Sequence, residues 1–258
     1  MLTPADLAER LNRHLKLGGQ LWLFLDYDGT LVPIAPTPDQ ARPDADLLRL
    51  LTDLARRPAL RVAIVSGRPL AVLQAFLPVP GLILAGLYGG EVLFPGQLAP
   101  TLRAPRDARF VADQTRSIWQ ALVAGRSGFL VEDKGLAVAL HARFAEAAEA
   151  ETVLERARSA AERLLPAAGY RLLGGDRFLE VTPAVAHKGW AVRWLLNTRP
   201  LADALPVYFG DDDKDELAFA EILTWGGLAI AVGPRQLAPA LASLPGPTDV
   251  REVLRSIL

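Results

Sequence analysis

The sequence predicts an α/β protein, a doubly wound parallel sheet of the Rossmann-like kind with a smaller α+β unit inserted into it. Three observations predict it. Short, continuous apolar runs of strand length alternate with helical segments, and these runs end in polar loops. Between about Leu102 and Pro183 the alternation gives way to hairpin-like segments around a long helix.

Leu21 to Leu25 (LWLFL) contains no polar residue, as expected of a strand buried on both faces, and ends in Asp26-Tyr27-Asp28-Gly29-Thr30. Pro43 and Asp44 open a helix in which Leu47, Leu50, Leu51 and Leu54 recur at three- and four-residue spacing before Pro58. Arg61 to Val65 (RVAIV) is the second strand and runs into Ser66-Gly67-Arg68-Pro69. A helix follows through Phe76, and the third strand spans Gly81 to Ala85. In the middle region a helix over Arg106 to Ala124 precedes a strand that ends in Glu132-Asp133-Lys134-Gly135. A hairpin partner over Leu136 to Ala142, a helix over Glu146 to Leu165 and a strand pair over Arg171 to Val181, turning at Gly174-Gly175, complete that region. After Pro183 the helix Lys188 to Leu196, the strand Val207 to Phe209, the helix Glu216 to Leu223 and the strand Gly227 to Val232 restore the alternation. The expected division is a core of residues 1–101 with 184–258 and an inserted unit of residues 102–183.

The 258 residues carry 28 basic and 29 acidic side chains, a net charge of −1 that excludes a generic polyanion binder and with it a nucleic-acid partner. With 51% apolar and 22% charged residues the chain has the material for a sizeable core. There is no cysteine, so disulfides, thiolate nucleophiles and Cys-based metal sites are excluded. The longest apolar stretch, Leu77 to Leu87, is broken by two prolines and two glycines and falls short of the ~20 residues of a membrane span. Met1 to Gln20 lacks the apolar centre of a signal peptide, so the expectation is a cytoplasmic enzyme or binding protein with a monomer favoured.

In a doubly wound sheet, ligands bind beyond the carboxyl ends of the strands. Asp26 and Asp28 lie two apart at such an end, with Gly29 allowing a sharp turn. Carboxylates this close repel unless a cation sits between them, and an all-oxygen cluster suits Mg²⁺. An isolated DxDG also serves merely to end a strand. A second acidic cluster, Gly210-Asp211-Asp212-Asp213-Lys214-Asp215-Glu216, follows another apolar strand, and the pair implies one metal. Ser66 fits an N-cap ahead of Pro69, and Lys188 a solvated helix charge. Beside a carboxylate metal site the same two residues are the hydroxyl and point charge that phosphoryl transfer needs. Only four of the basic residues are lysine, namely 16, 134, 188 and 214, and three of these fall within the segments singled out here. No Walker-type or GxGxxG loop is present, so a nucleotide cradle is not indicated. His141, beside apolar Leu140, reads as a satisfied core residue.

In order and spacing, Asp26-Tyr27-Asp28-Gly29-Thr30-Leu31, Ser66-Gly67-Arg68, Lys188-Gly189 and Gly210 to Glu216 resemble the four motifs of the haloacid dehalogenase superfamily of phosphotransferases. Within it the chain is similar to the trehalose-6-phosphate phosphatase family, through Gly86-Leu87-Tyr88-Gly89-Gly90-Glu91, Val131-Glu132-Asp133-Lys134, Ala139-Leu140-His141-Ala142-Arg143 and Glu180-Val181-Thr182-Pro183. Tyr88 stands where that family usually shows His, and His187 where Asn is usual.

The resemblance implies an Mg²⁺-dependent phosphatase acting on a sugar phosphate, trehalose 6-phosphate, through an aspartyl-phosphate. It makes Asp26 the nucleophile and Asp28 the general acid and base. Ser66 and Lys188 would neutralise phosphoryl oxygens, Asp215 would orient Lys188 or bound water, and Mg²⁺ would be held by Asp26, the Asp28 main chain and Asp211. Gly67, Arg68, Glu132, Lys134, Arg143 and Glu180 would bind substrate, the last four from an inserted cap. The alternatives are a capped phosphatase for another sugar phosphate or a glycosyl-phosphoglycerate, a receiver-type phospho-accepting module, and a sugar-binding protein without catalysis.

Overall fold

The computed structural model describes residues 3–98, 104–165 and 169–258 and divides into two compact units, Met1–Pro100 with His187–Leu258, and Thr101–Ala186. The expected first boundary, between residues 101 and 102, lies outside the described residues.

Along the first unit run α1 (Pro4–Lys16), β1 (Gln20–Leu25), α2 (Ala45–Arg56), β2 (Leu60–Val65), α3 (Leu70–Phe76), β3 (Ile83–Gly86), β4 (Glu91–Phe94) and β5 (Gln97–Leu98). The second unit contributes α4 (Ala108–Val123), β6 (Leu130–Asp133), β7 (Val138–His141), α5 (Ala147–Leu164), β8 (Tyr170–Gly175) and β9 (Phe178–Pro183). The chain then returns with α6 (Lys188–Thr198), β10 (Ala204–Gly210), α7 (Glu216–Thr224), β11 (Leu228–Val232), β12 (Ala242–Leu244) and α8 (Pro247–Ser256).

The first unit is built on one eight-stranded sheet in the order β12-β11-β10-β1-β2-β3-β4-β5. Strands β12 through β3 in that order are all parallel, as the alternation of strand and helix requires. The antiparallel hairpin of β4 and β5 at one edge was not anticipated from the sequence, nor were β12 and α8 at the other end. Because side chains alternate along a strand, β1 buries Leu21, Leu23 and Leu25 with α1, α2, α3 and α8 on one face. It turns Trp22 and Phe24 to the other face, where residues of α6 and α7 cover them. Full burial of each such side chain contributes about 1.5–3 kcal/mol, which is why a run like LWLFL belongs at the centre of the sheet.

The second unit is a four-stranded antiparallel sheet, β6-β7-β9-β8, with α4 and α5 packed on the face formed by Val138, Leu140, Leu179 and Val181. Buried Trp119 of α4 donates its indole N–H to the Ala157 carbonyl of α5 at 3.1 Å, tying the two helices. The β8–β9 turn is not at Gly174-Gly175. Those glycines lie within β8, and the chain reverses at Asp176-Arg177, where Arg177 itself takes φ 50°. Among the described residues no helix is long and apolar enough to cross a membrane.

Candidate active site

Strands β1 and β10 are parallel neighbours with Leu25 opposite Phe209, and the ladder continues one residue further through the Asp26 N–H to the Phe209 carbonyl, 3.0 Å. That register sets Asp26 opposite Gly210 at the carboxyl edge of the sheet, one residue before Asp211. One carboxylate oxygen from each of Asp26, Asp211 and Asp215 lies within 4.8 Å of the others, among the described residues the one group of three or more such side chains close enough to share a cation. Gly29, at φ 80°, passes so close to the Asp211 carboxylate that a Cβ there would collide with it.

Lys188, the first residue of α6, reaches into this cluster and donates to Asp26 Oδ1 at 2.8 Å and to Asp215 Oδ1 at 2.7 Å. His187 before it caps the helix, its Nδ1 accepting from the Trp190 N–H at 3.0 Å, the service an Asn performs equally well. Asp215 is saturated: Oδ1 also accepts from the Tyr208 hydroxyl, and Oδ2 accepts from the N–H groups of Asp211 and Asp212. Asp26 Oδ2 takes the Thr30 hydroxyl at 3.2 Å.

One ammonium among three buried carboxylates leaves the cluster short of positive charge. Burial pushes Asp26 up to about 8, with Asp211 and Asp212 adding repulsion against the pull of Lys188. Burial likewise lifts Asp211 to about 6. For Lys188 burial alone acts downward, but Asp215 and Asp26 outweigh it and hold the ammonium charged. Asp212 goes the other way: burial opposes ionisation, yet Lys188 and Lys214 hold its carboxyl at about 2.

Ser66 follows β2 and is buried, but it does not cap α3, whose N-cap is Pro69. Its Oγ instead accepts from the Arg68 N–H at 3.2 Å. The Arg68 guanidinium, stacked near the rings of Tyr27 and Phe76, donates from Nε and Nη2 to the two oxygens of Asp28.

In the second unit, Glu132, Ala139 and Glu180 form one cross-strand row on the sheet face opposite the helices. Lys134 pairs with fully buried Glu180 at 2.8 Å. His141 is no core residue: it is about a quarter exposed and bonds Glu132 Oε2 at 2.9 Å. Arg143 lies beyond β7 and is exposed.

A family model for trehalose-phosphatase matches residues 24–237. The chain belongs to the trehalose-phosphatase family. It is 33% identical over 242 residues to a probable trehalose-phosphate phosphatase of Sinorhizobium fredii, covering 91% of this chain and 86% of that one. It is 33% identical over 239 residues to the trehalose-phosphate phosphatase of Mycobacterium marinum, and spans 59% of that protein's length. Among solved structures, the C-terminal domain of C. albicans trehalose-6-phosphate phosphatase superposes with a TM-score of 0.85 at 25% identity, covering 97% of this chain and 96% of that one.

In this trehalose-phosphatase family member the structure brings Asp26, Lys188, Asp211 and Asp215 into one cluster and joins Asp28 to Arg68. Sequence reasoning missed Thr30 and Tyr208. Thr30 had a usable signal, a hydroxyl four residues past Asp26 in the same loop. Tyr208 had none, since it sits inside an apolar strand.

Proposed function

We propose that this trehalose-phosphatase family member hydrolyses trehalose 6-phosphate to trehalose and phosphate in two steps at Asp26. The single observation that carries the reading is the meeting of Asp26, Asp211 and Asp215 around Lys188. In the first step an Asp26 oxygen bonds to phosphorus as the bond from phosphorus to the sugar oxygen breaks, and Asp28 gives that oxygen its proton. In the second, Asp28 takes a proton from water, the water oxygen bonds to phosphorus, and the Asp26–phosphorus bond breaks to release phosphate. Lys188 neutralises phosphoryl oxygens throughout, and Asp215 fixes its ammonium. The buried Ser66 hydroxyl, with the backbone of Gly67, meets the remaining oxygens.

The donor set fits Mg²⁺: every ligand is a hard oxygen, and the cluster has surplus negative charge. Asp26, Asp211 and the Asp28 main-chain carbonyl would hold the ion, since Asp215 is already fully engaged, and when bound it supplies charge neutralisation at the phosphoryl group. The inserted unit, residues 102–183 in the expected division, acts as the specificity cap. Glu132, Lys134 and Glu180, with Arg143, supply charged groups suited to hydrogen-bonding sugar hydroxyls.

The test is phosphate release from a panel of sugar phosphates by the full chain. Trehalose 6-phosphate is expected to give the highest kcat/KM, and Glu132→Ala to weaken its turnover far more than that of a small phosphoester. A preference for a monosaccharide phosphate would overturn the substrate assignment, and equal losses would overturn the cap assignment.

A further inference from the structure

The turn Leu87 to Gly90 joins β3 to β4 and holds none of the residues placed in the chemistry above, yet with Glu91 beside it this segment grips the Ser66-Gly67-Arg68 loop at three points and Leu70 beyond it at a fourth. The Tyr88 N–H donates to the Ser66 carbonyl and the Leu87 N–H to the Arg68 carbonyl, each at 2.8 Å. Glu91 Oε2 accepts from the Leu70 N–H at 3.0 Å, just past the loop. The buried Tyr88 ring lies over Gly67 so closely that a Cβ there would sit 2.7 Å from its edge and hydroxyl.

Two further features set this turn apart. Leu87 and Tyr88 both adopt left-handed backbone, φ 47° and 57°, which side-chain-bearing residues disfavour and which persists only where surrounding contacts impose it. On its other side, Gly89 packs against Ala191 of α6 with no room for a Cβ, one turn beyond Lys188. The turn therefore touches both the loop that carries Ser66 and the helix that carries Lys188.

We propose that Tyr88 is a positioning residue for phosphoryl transfer: its ring and strained turn fix the Ser66-Gly67-Arg68 loop at a set spacing from the helix of Lys188. The inference rests on the two-step reading above and deepens it. Tyr88 acts on the phosphoryl end of the substrate, so its effect is independent of the sugar. A merely structural tyrosine in the same place would change stability and leave rate constants alone.

The experiment compares Tyr88→Phe and Tyr88→Ala with the unaltered chain, measuring kcat, KM and melting temperature on trehalose 6-phosphate and on 4-nitrophenyl phosphate, and inhibition by inorganic phosphate. Loss of a single preorganised donor typically lowers kcat by about 10²–10³. Misplacement of the loop in Tyr88→Ala is accordingly expected to lower kcat at least about tenfold on both substrates and to weaken phosphate inhibition, while Tyr88→Phe, which keeps the ring edge, restores activity to within about threefold. Gly67→Ala drives a methyl into the ring; it is expected to lower kcat, and adding Tyr88→Ala to it to recover part of that loss. A folded Tyr88→Ala with kcat and phosphate inhibition within about twofold of the parent would overturn the proposal, as would a Gly67→Ala defect that Tyr88→Ala merely adds to. Should Tyr88→Ala fail to fold, Tyr88→Leu, which keeps an apolar body without the ring edge, is judged by the same two criteria. If the unaltered chain released no phosphate from either substrate, the two-step reading itself would fail, a result distinct from all of these.

Discussion

Arg68 holds Asp28 through two parallel hydrogen bonds, Nε to Oδ2 and Nη2 to Oδ1, each 2.7 Å. Arg68, which the family resemblance implies binds substrate, here also meets the carboxylate two residues past Asp26. Replacing it by lysine keeps the charge and loses the two-pronged geometry. General acid catalysis is worth about 10²–10⁴ where the leaving oxygen is basic and little where it is not. Arg68→Lys is therefore expected to slow trehalose 6-phosphate at least about tenfold more than 4-nitrophenyl phosphate. Equal slowing, measured as kcat on both, would separate Arg68 from the proton transfer.

Asp26 tests the nucleophile. Asp26→Asn preserves shape and the Thr30 contact but removes the attacking charge. Phosphate release is expected to fall more than about 10³-fold, as for other covalent nucleophiles. Equilibrium binding of trehalose 6-phosphate should survive, since Lys188 and Ser66 remain. Calorimetric titration of the variant checks the second half of this expectation.

Tyr208 is a buried donor to Asp215, 2.7 Å away. In Tyr208→Phe the carboxylate keeps Lys188 and two backbone N–H groups but loses one hydrogen bond in a dry environment. A stability loss of about 1–3 kcal/mol by urea unfolding is expected, with kcat reduced less than about tenfold because Lys188 stays bridged.

Much of this site is legible in the sequence because it obeys one rule, that polar residues ending parallel strands converge. Asp26 and Asp211 follow LWLFL and VYFG, so both lie at the carboxyl edge of one parallel sheet, and the pairing of β1 with β10 brings them together. Contacts that depend on register are less visible. His141 reads as a core residue until β6 and β7 are paired, which brings it onto Glu132. The Gly174-Gly175 pair reads as a turn, yet both glycines pair in β8 and Arg177 supplies the left-handed conformation, because Gly175 opposes Phe178 and fixes a two-residue connection. The β4–β5 hairpin carries its own sign in Pro95-Gly96, but four- and two-residue strands are too short for periodicity to register.

Asp44 links pH to stability away from the site. Its carboxylate accepts from Arg251 Nη1 at 2.6 Å and from the Leu47 N–H at 2.7 Å, capping α2, and these bonds hold its acid strength above that of a free aspartate. Arg251 also donates to the Leu31 carbonyl in the loop that follows β1. Because the folded-state value lies below the unfolded one, the contribution is complete above the unfolded value of 3.8 and disappears as pH falls through the folded value. Asp44 is more than half exposed, so screening keeps the ion-pair share small and the cap dominates. Asp44→Ala is expected to cost about 1 kcal/mol near neutral pH and distinctly less below about pH 3, read from urea midpoints at both pH values.

The surplus of buried negative charge around Asp26 and Asp211 makes a bound cation the expected condition for the chemistry proposed at this site. The most direct measurement is continuous phosphate release from trehalose 6-phosphate by the full chain, first with Mg²⁺, then with excess chelator, then with Mg²⁺ restored. Turnover is expected to stop on chelation and return on restoration. Undiminished release in chelator would contradict the account, because the carboxylates of Asp26 and Asp211 would then be meeting a phosphoester with only the Lys188 ammonium, and no metal ion, to offset their charge.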